Sequence, residues 1–193
     1  MGHSVEKIGG TSMTNYEAVR DNVILAGGES GNIYQRIFVV SAYGGVTDLL
    51  LENKRTSHPG VYALFADDGA ETLWRDALSD VGNALKEINA GLFPDAEQLE
   101  AANTYIEARL FEAERCMDNL HRLCQHGHFG LEDHLLTVRE MLASIGEAHS
   151  AWNTATLLKL SLIPIRRCRR SGQRSSQLPP QNKNRNTRQQ QTR

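Results

Sequence analysis

The sequence predicts a three-layer α/β fold that carries a projecting helical hairpin and ends in a disordered basic tail. Three observations predict it. A short strand in the stretch that opens at Val5 and a buried-looking run over residues 35–42 flank one helical stripe, which is the pattern of a right-handed βαβ unit with parallel strands. Two long apolar stripes of three-and-four spacing then follow with no strand between them, as in an antiparallel helical pair. From residue 160 onward the chain holds nine Lys and Arg and no acid, whereas all 23 Asp and Glu lie before it.

The first strand ends in Lys7-Ile8-Gly9-Gly10-Thr11-Ser12, a lysine followed by two glycines and two hydroxyls. Glycine lets backbone N–H groups turn toward an anion, a helix expected from near Thr14 points its positive end there, and Lys7 adds a mobile charge. That is the chemistry of a phosphate site, although an ordinary strand-to-helix turn uses the same glycines. It is not a Walker A loop, because the lysine precedes the glycines. A helix over residues 16–26 places Ala18, Val19, Val23, Ile24 and Ala26 on one face and stops at Gly27-Gly28. Residues 35–42 (QRIFVVSA) are too short for a helix and read as a strand buried on both faces. It runs into Ser41-Ala42-Tyr43-Gly44-Gly45-Val46-Thr47-Asp48, a second hydroxyl and glycine loop that opens into a helix over residues 46–54. Ligands of open parallel sheets bind beyond the carboxyl ends of the strands, where both loops fall. With Lys7 on one and Ser41 and Thr47 on the other, the pair predicts a phosphoryl or small-anion site.

Pro59-Gly60 interrupts the pattern. Residues 72–88 then align Leu73, Ala77, Leu78, Val81, Ala84, Leu85 and Ile88, ending at Leu92-Phe93-Pro94, and the next stripe runs from Leu99 through Ile106, Ala113 and Met117 to Cys124. This hairpin, about residues 72–126, is expected to stand off from the α/β core and to carry no chemistry. His121, His126, His128 and His134 gather near Cys124, but only Cys124, His126 and His128 are close, around a turn marked by Gly127 and Gly130. Zinc needs converging spacings such as C-x2-C or H-x3-H, so solvent-exposed histidines and no metal are expected. The last helix, residues 131–159, has its stripe at Leu135, Val138, Met141, Leu142, Ile145 and Trp152. Glu147 lies off that stripe among the small residues Ser144, Ser150, Ala151 and Thr154, with Gly146 before it, which leaves a ligand room to approach its carboxylate. A lone helical Glu is more often simply solvated.

Residues 160–193 are rich in Gln, Asn, Ser and Pro, with Leu178 the one large aliphatic side chain after Ile165. They cannot bury enough apolar surface to offset their ordering entropy, so residues 1–159 are expected to form the single domain. The first apolar residues are interrupted by Glu6 and Lys7, unlike a signal peptide, and no apolar run is long enough to span a bilayer. A cytoplasmic protein without membrane contact is expected. Cys116, Cys124 and Cys168 form an odd, scattered set, which predicts free thiols.

Taken together, Lys7-Ile8-Gly9-Gly10-Thr11-Ser12, then Val39-Val40-Ser41-Ala42 with Gly45 and Thr47-Asp48, then Gly146-Glu147-Ala148-His149-Ser150 resemble the amino-terminal half of an aspartokinase in order and spacing. The resemblance covers about residues 3–159. Glu6-Lys7-Ile8, residues 34–38 and residues 139–145 are similar to the bacterial branch associated with ectoine synthesis. The resemblance implies an amino-acid-kinase fold, with ATP and Mg2+ as cofactors and L-aspartate as substrate. The implied reaction is transfer of the γ-phosphoryl group of ATP to the side-chain carboxylate, giving ADP and 4-phospho-L-aspartate at the entry to lysine, threonine, methionine and ectoine synthesis. By this similarity Lys7 is catalytic and neutralises the moving phosphoryl group, and Gly9, Gly10 and Ser12 line the phosphate pocket with it. Ser41, Ala42 and Thr47 would hold the aspartate, and Glu147 would receive its ammonium group.

Ile8 stands where the family has Phe. The family also continues past the Glu147 helix with more sheet, an arginine and aspartate pair for the substrate, a glycine and serine-rich nucleotide loop and ACT domains, and it forms homo-oligomers. None of those later segments is present in this sequence. An incomplete sheet, a truncated chain with an out-of-frame tail, and little kinase activity in isolation are therefore expected. Two other functions stay open. One is a non-catalytic remnant whose basic tail grips nucleic-acid phosphates, against which stands the tail's lack of aromatic residues and of any helical pattern. The other is an amino-acid kinase for a different acid, against which stands Gly-Glu-x-x-Ser.

Overall fold

A computed structural model describes residues 3–25, 36–53, 55–67, 72–125 and 129–158, all within one compact unit, Met1–Leu162. The expectations for the tail over 160–193, for Gly27-Gly28, and for His126, His128 and Cys168 lie outside the described residues. The chain is mostly helical around a small two-stranded parallel sheet, consistent with an incomplete α/β fold.

Strand β1 (Ser4–Ile8) pairs in parallel with β2 (Arg36–Val40), Ser4 opposite Arg36 and Ile8 opposite Val40. This is the pairing that the flanking apolar runs predict. The N–H of Ser41 donates to the Ile8 carbonyl at 3.0 Å, so the two chains leave the sheet side by side. The crossover differs from the expected single helix. It starts at Gly10 instead of Thr14 and divides into α1 (Gly10–Met13), α2 (Tyr16–Val19) and a π-helical turn, Arg20–Leu25. Asn15 causes the division, because its side-chain oxygen accepts the Ala18 N–H at 3.2 Å and caps a new helix.

Arg36 fastens this crossover. Its guanidinium grips both carboxylate oxygens of Glu6 at 2.6 Å and donates to the carbonyls of Val23 and Ile24 at 2.7 and 2.9 Å. One fork thus joins β1 to β2 and donates to carbonyls near a helix end. The same contact holds the Glu6 carboxyl below its usual range.

The sheet is buried on one face only, which corrects the expectation for residues 35–42. Phe38 and Val40 pack on the core, while Ile37 and Val39 are 51% and 47% exposed, next to Val5 at 67%. Strand alternation explains the division, since paired residues share a face and Val5, Lys7, Ile37 and Val39 all lie on the open one. A run of β-branched residues states that a strand is present, not how many of its faces are covered.

Helix α3 (Val46–Leu50) stops short of the expected residue 54, because the Leu51 carbonyl turns to accept the N–H groups of Gly60 and Ala63 at 3.2 and 3.3 Å. The returning chain forms α4 (Val61–Ala66), which buries Val61 and Phe65 and is too short to show periodicity in the sequence. Gly60 makes that return feasible: a Cβ there would sit 2.5 to 2.7 Å from the carbonyl oxygens of Leu49, Asp48 and Leu51. Backbone oxygens cannot swing aside, so Gly60→Ala is expected to cost about 3 kcal/mol. A urea melt checks this, and an unchanged midpoint would show that the turn relaxes freely.

Helices α5 (Leu73–Leu92) and α6 (Ala96–Cys124) form the predicted antiparallel hairpin. Arg75 pairs with Asp118, Lys86 with Glu107 at 2.5 Å, and the Asn89 amide donates to Asn103 at 3.0 Å. Asp95 caps α6 by accepting the Gln98 N–H at 3.0 Å. The hairpin does not stand off from the rest, as had been expected. Helix α5 packs on α3 and α4, with Trp74 edge-on to Phe65 and Leu78, Val81 and Leu85 in the same core, and α6 packs on α7 (Leu135–Leu157), which follows a 3-10 turn, Leu131–His134. Trp152 of α7 stacks on Tyr105 at 5.2 Å and meets the edge of Phe93 at 6.3 Å, closing the far end. Among the described residues no helix is long and apolar enough to cross a membrane, and Cys116 and Cys124 are free.

Candidate functional site

The first loop begins where β1 ends. The carbonyl of Gly9 accepts the Met13 N–H at 3.0 Å, and the fully buried Met13 side chain pins this single helical turn to the core. Lys7, Gly9, Thr11 and Ser12 remain exposed around it. A four-residue turn has too few aligned peptides for a helix dipole, so any attraction for an anion comes from local N–H groups and Lys7.

The second loop lies directly against the first. A Cβ on Gly10 would be 2.8 Å from the Ala42 carbonyl oxygen, so only glycine allows the two backbones this close. The Thr14 hydroxyl bridges them, donating to the Gly10 carbonyl and accepting the Gly44 N–H, each at 3.2 Å. Thr14 was expected only to start a helix. Gly45, at φ 87°, then turns the chain into α3, leaving Ala42 buried, Ser41 half-buried and Thr47 exposed.

Helix α7 completes the arrangement. At Gly146 a Cβ would be 2.9 Å from the Ala42 Cβ and 3.0 Å from Val46 Cγ1, so the helix lies on the second loop at the closest approach glycine permits. The exposed Glu147 sits beside that contact. Ala42 therefore touches the first loop at Gly10 and α7 at Gly146, and the three sequence motifs meet around one residue. Neither Lys7 nor Glu147 has an ion-pair partner among the described residues.

Behind this surface lies a buried polar cluster that the sequence reading missed. Asn89, His149 and Asn153 are fully buried. The Asn89 side-chain oxygen accepts the Asn153 amide N–H at 2.9 Å and lies 2.7 Å from His149 Nε2, which donates to it in the Nε2–H tautomer; the Asn153 amide nitrogen is also 3.1 Å from Nε2, so the three side chains form one closed cluster. The His149 ring also meets Tyr43 edge-on, with centroids 5.4 Å apart. Burial pushes the His149 pKa down to about 4 and that of the Tyr43 hydroxyl up to about 12. A signal was present in the sequence: His149 and Asn153 fall at i+4 and i+8 from Ile145, on the apolar stripe.

A pH dependence follows. The depressed His149 pKa means that the unfolded chain takes up a proton more readily, so stability is full above about pH 6.5 and declines as pH falls toward 4. The loss amounts to roughly 3 kcal/mol. Urea midpoints at pH 7.5 and pH 4.5 should show most of this decline in the native protein and much less in His149→Gln. Equal declines in both would remove the assignment.

An open depression of about 610 Å³ lies between the second loop and α5, lined in part by Gly44, Asp48, Asn53 and Glu87. It shares Gly44, Gly45, Val46 and Asp48 with the second loop but is lined by none of Lys7, Gly9, Gly10, Ser12, Ser41, Ala42, Thr47 or Glu147.

Over 157 residues, 81% of its length, the chain is 54% identical to the aspartate kinase Ask_Ect of Stutzerimonas stutzeri (strain A1501). This chain is an aspartate kinase relative. It spans about a third of the length of that protein, the match covering 33% of it. No family model and no solved structure matches the chain. In this aspartate kinase relative the exposed hydroxyls of Thr11 and Ser12, the open turn at Gly9 and Lys7 leave several polar groups facing solvent around one turn. Among the described residues no group of three His, Cys, Asp or Glu could hold a metal ion. His121 and His134 are half-buried instead of exposed.

Proposed function

We propose that this chain provides the aspartate-binding and phosphoryl-facing part of an aspartate kinase. The observation that carries the proposal is the meeting of Gly10, Ala42 and Gly146, which gathers Lys7, Ser12, Ser41, Thr47 and Glu147 on neighbouring elements. ATP with Mg2+ supplies the phosphoryl group, whose bond to ADP breaks as an aspartate carboxylate oxygen takes it. Lys7 balances the charge on that group, and Gly9, Gly10 and Ser12 direct hydrogen bonds at its oxygens. Ser41, Ala42 and Thr47 orient the acceptor, with Glu147 opposite its ammonium group. The product, 4-phospho-L-aspartate, leads to lysine, threonine, methionine and ectoine. Residues 1–159 are, on this reading, part of an amino-acid-kinase domain of a cytoplasmic enzyme.

The test is calorimetric titration with L-aspartate, and separately with short DNA at two salt concentrations. L-Aspartate should bind, and Glu147→Ala should weaken it about tenfold, the scale of a partly exposed charge pair. Equal affinity in the variant would overturn the role of Glu147. DNA binding that strengthens at low salt, without aspartate binding, would favour the nucleic-acid alternative.

A further inference from the structure

We propose that His149 is a positioning residue: with Asn89 and Asn153 it clamps the helix that carries Glu147 onto the loop that carries Ser41, Ala42 and Thr47. Helix α3, which continues that loop, packs on both α5 and α7. The buried cluster supplies the remaining side of the triangle by joining Asn89 of α5 to His149 and Asn153 of α7. His149 also presses on Tyr43 within the loop itself, one helical turn beyond the Gly146 contact. Two contacts a turn apart fix rotation of α7 about its axis as well as its distance. Glu147 lies between them in sequence, so that rotation decides where its carboxylate points.

A cluster kept only for stability would be a poor choice here. The His149 Nδ1 and the Asn153 side-chain oxygen are buried without a hydrogen-bond partner among the described residues, and the Tyr43 hydroxyl has only the Asn153 side chain to meet it. Apolar side chains of the same shape would avoid that cost. What the polar groups add is direction: a hydrogen bond fixes the angle between helices where apolar packing tolerates sliding.

The clamp is independent of the ligand, although what it positions rests on the aspartate reading. The experiment therefore compares amide hydrogen exchange and L-aspartate affinity in His149→Leu, His149→Gln and Asn89→Leu. The control is Ile106→Ala, which destabilises the core on α6, and Ile106 is likewise fully buried. In His149→Leu and Asn89→Leu the amides of residues 41–47 should exchange about tenfold faster than in the control, with aspartate affinity lowered about tenfold. Gln retains a donor close to Nε2, so His149→Gln should stay within about threefold of the native protein in both measurements. The proposal is overturned if His149→Leu and the control accelerate exchange alike, or if Gln is as impaired as Leu. If the native protein binds no aspartate while His149→Leu still loosens residues 41–47, the clamp stands and the aspartate reading fails. Should His149→Leu not fold, Asn89→Leu set against His149→Gln decides in the same terms.

Discussion

A polypeptide of these 193 residues, given saturating L-aspartate, ATP and magnesium, is expected to show no measurable kinase turnover. It brings two glycine loops and the Glu147 helix to one place, but it corresponds to only about a third of its aspartate kinase relative. Phosphoryl transfer requires donor and acceptor to be held in line, and losing that orientation removes roughly 7 kcal/mol of barrier lowering, about five orders of magnitude in rate. The open sheet face adds a physical difficulty. Val5, Ile37 and Val39 present apolar surface beside strand edges, so association at high concentration should accompany inactivity. A coupled ADP-release assay decides the matter. Turnover near about 1 s⁻¹, the low end for ordinary enzymes, would show that these residues suffice by themselves.

The second large effect is expected at Lys7, tested in a chain of the relative's full length that carries this segment. Lys7→Ala should lower kcat by about a thousandfold and leave the KM for aspartate nearly unchanged. On the proposed reading its charge would meet the phosphoryl group as it moves, whereas an aspartate ammonium opposite Glu147 would be the same in ground and transition states. The two variants should therefore separate, Lys7→Ala acting on kcat and Glu147→Ala on KM. A Lys7→Ala enzyme within tenfold of the native kcat would refute a role in the chemical step.

The parts of this molecule visible in its sequence are those written in local periodicity. The β1 and β2 runs and the stripes of α5, α6 and α7 each declare themselves within a window of their own length. What escaped is long-range. The Arg36 fork joins residues on two strands and a helix end, and no local pattern marks it. The partner of His149 is 60 positions away on another helix, so a polar residue on a core stripe was visible but its purpose was not. Exposure of Ile37 and Val39 depends on which helices cover the sheet, a property of the whole chain. The candidate site divides in the same way. The motifs could be matched to a family residue by residue, but the meeting at Ala42 and the Thr14 bridge needed the structure.

Parallel pairing of β1 with β2 also sets an order in time. Antiparallel helices joined by short turns, such as α5 with α6, find their partners quickly, but β1 meets β2 only after the whole crossover between them has been arranged. The helical contacts should thus belong to the folding nucleus and the strand ladder to the steps that follow it. Both glycine loops hang from the end of that ladder, so they take shape late and are lost early. An aspartate or phosphate ion captured there would grip a feature absent from the folding transition state. It would prolong the life of the folded chain by slowing unfolding, and leave the rate of folding unchanged.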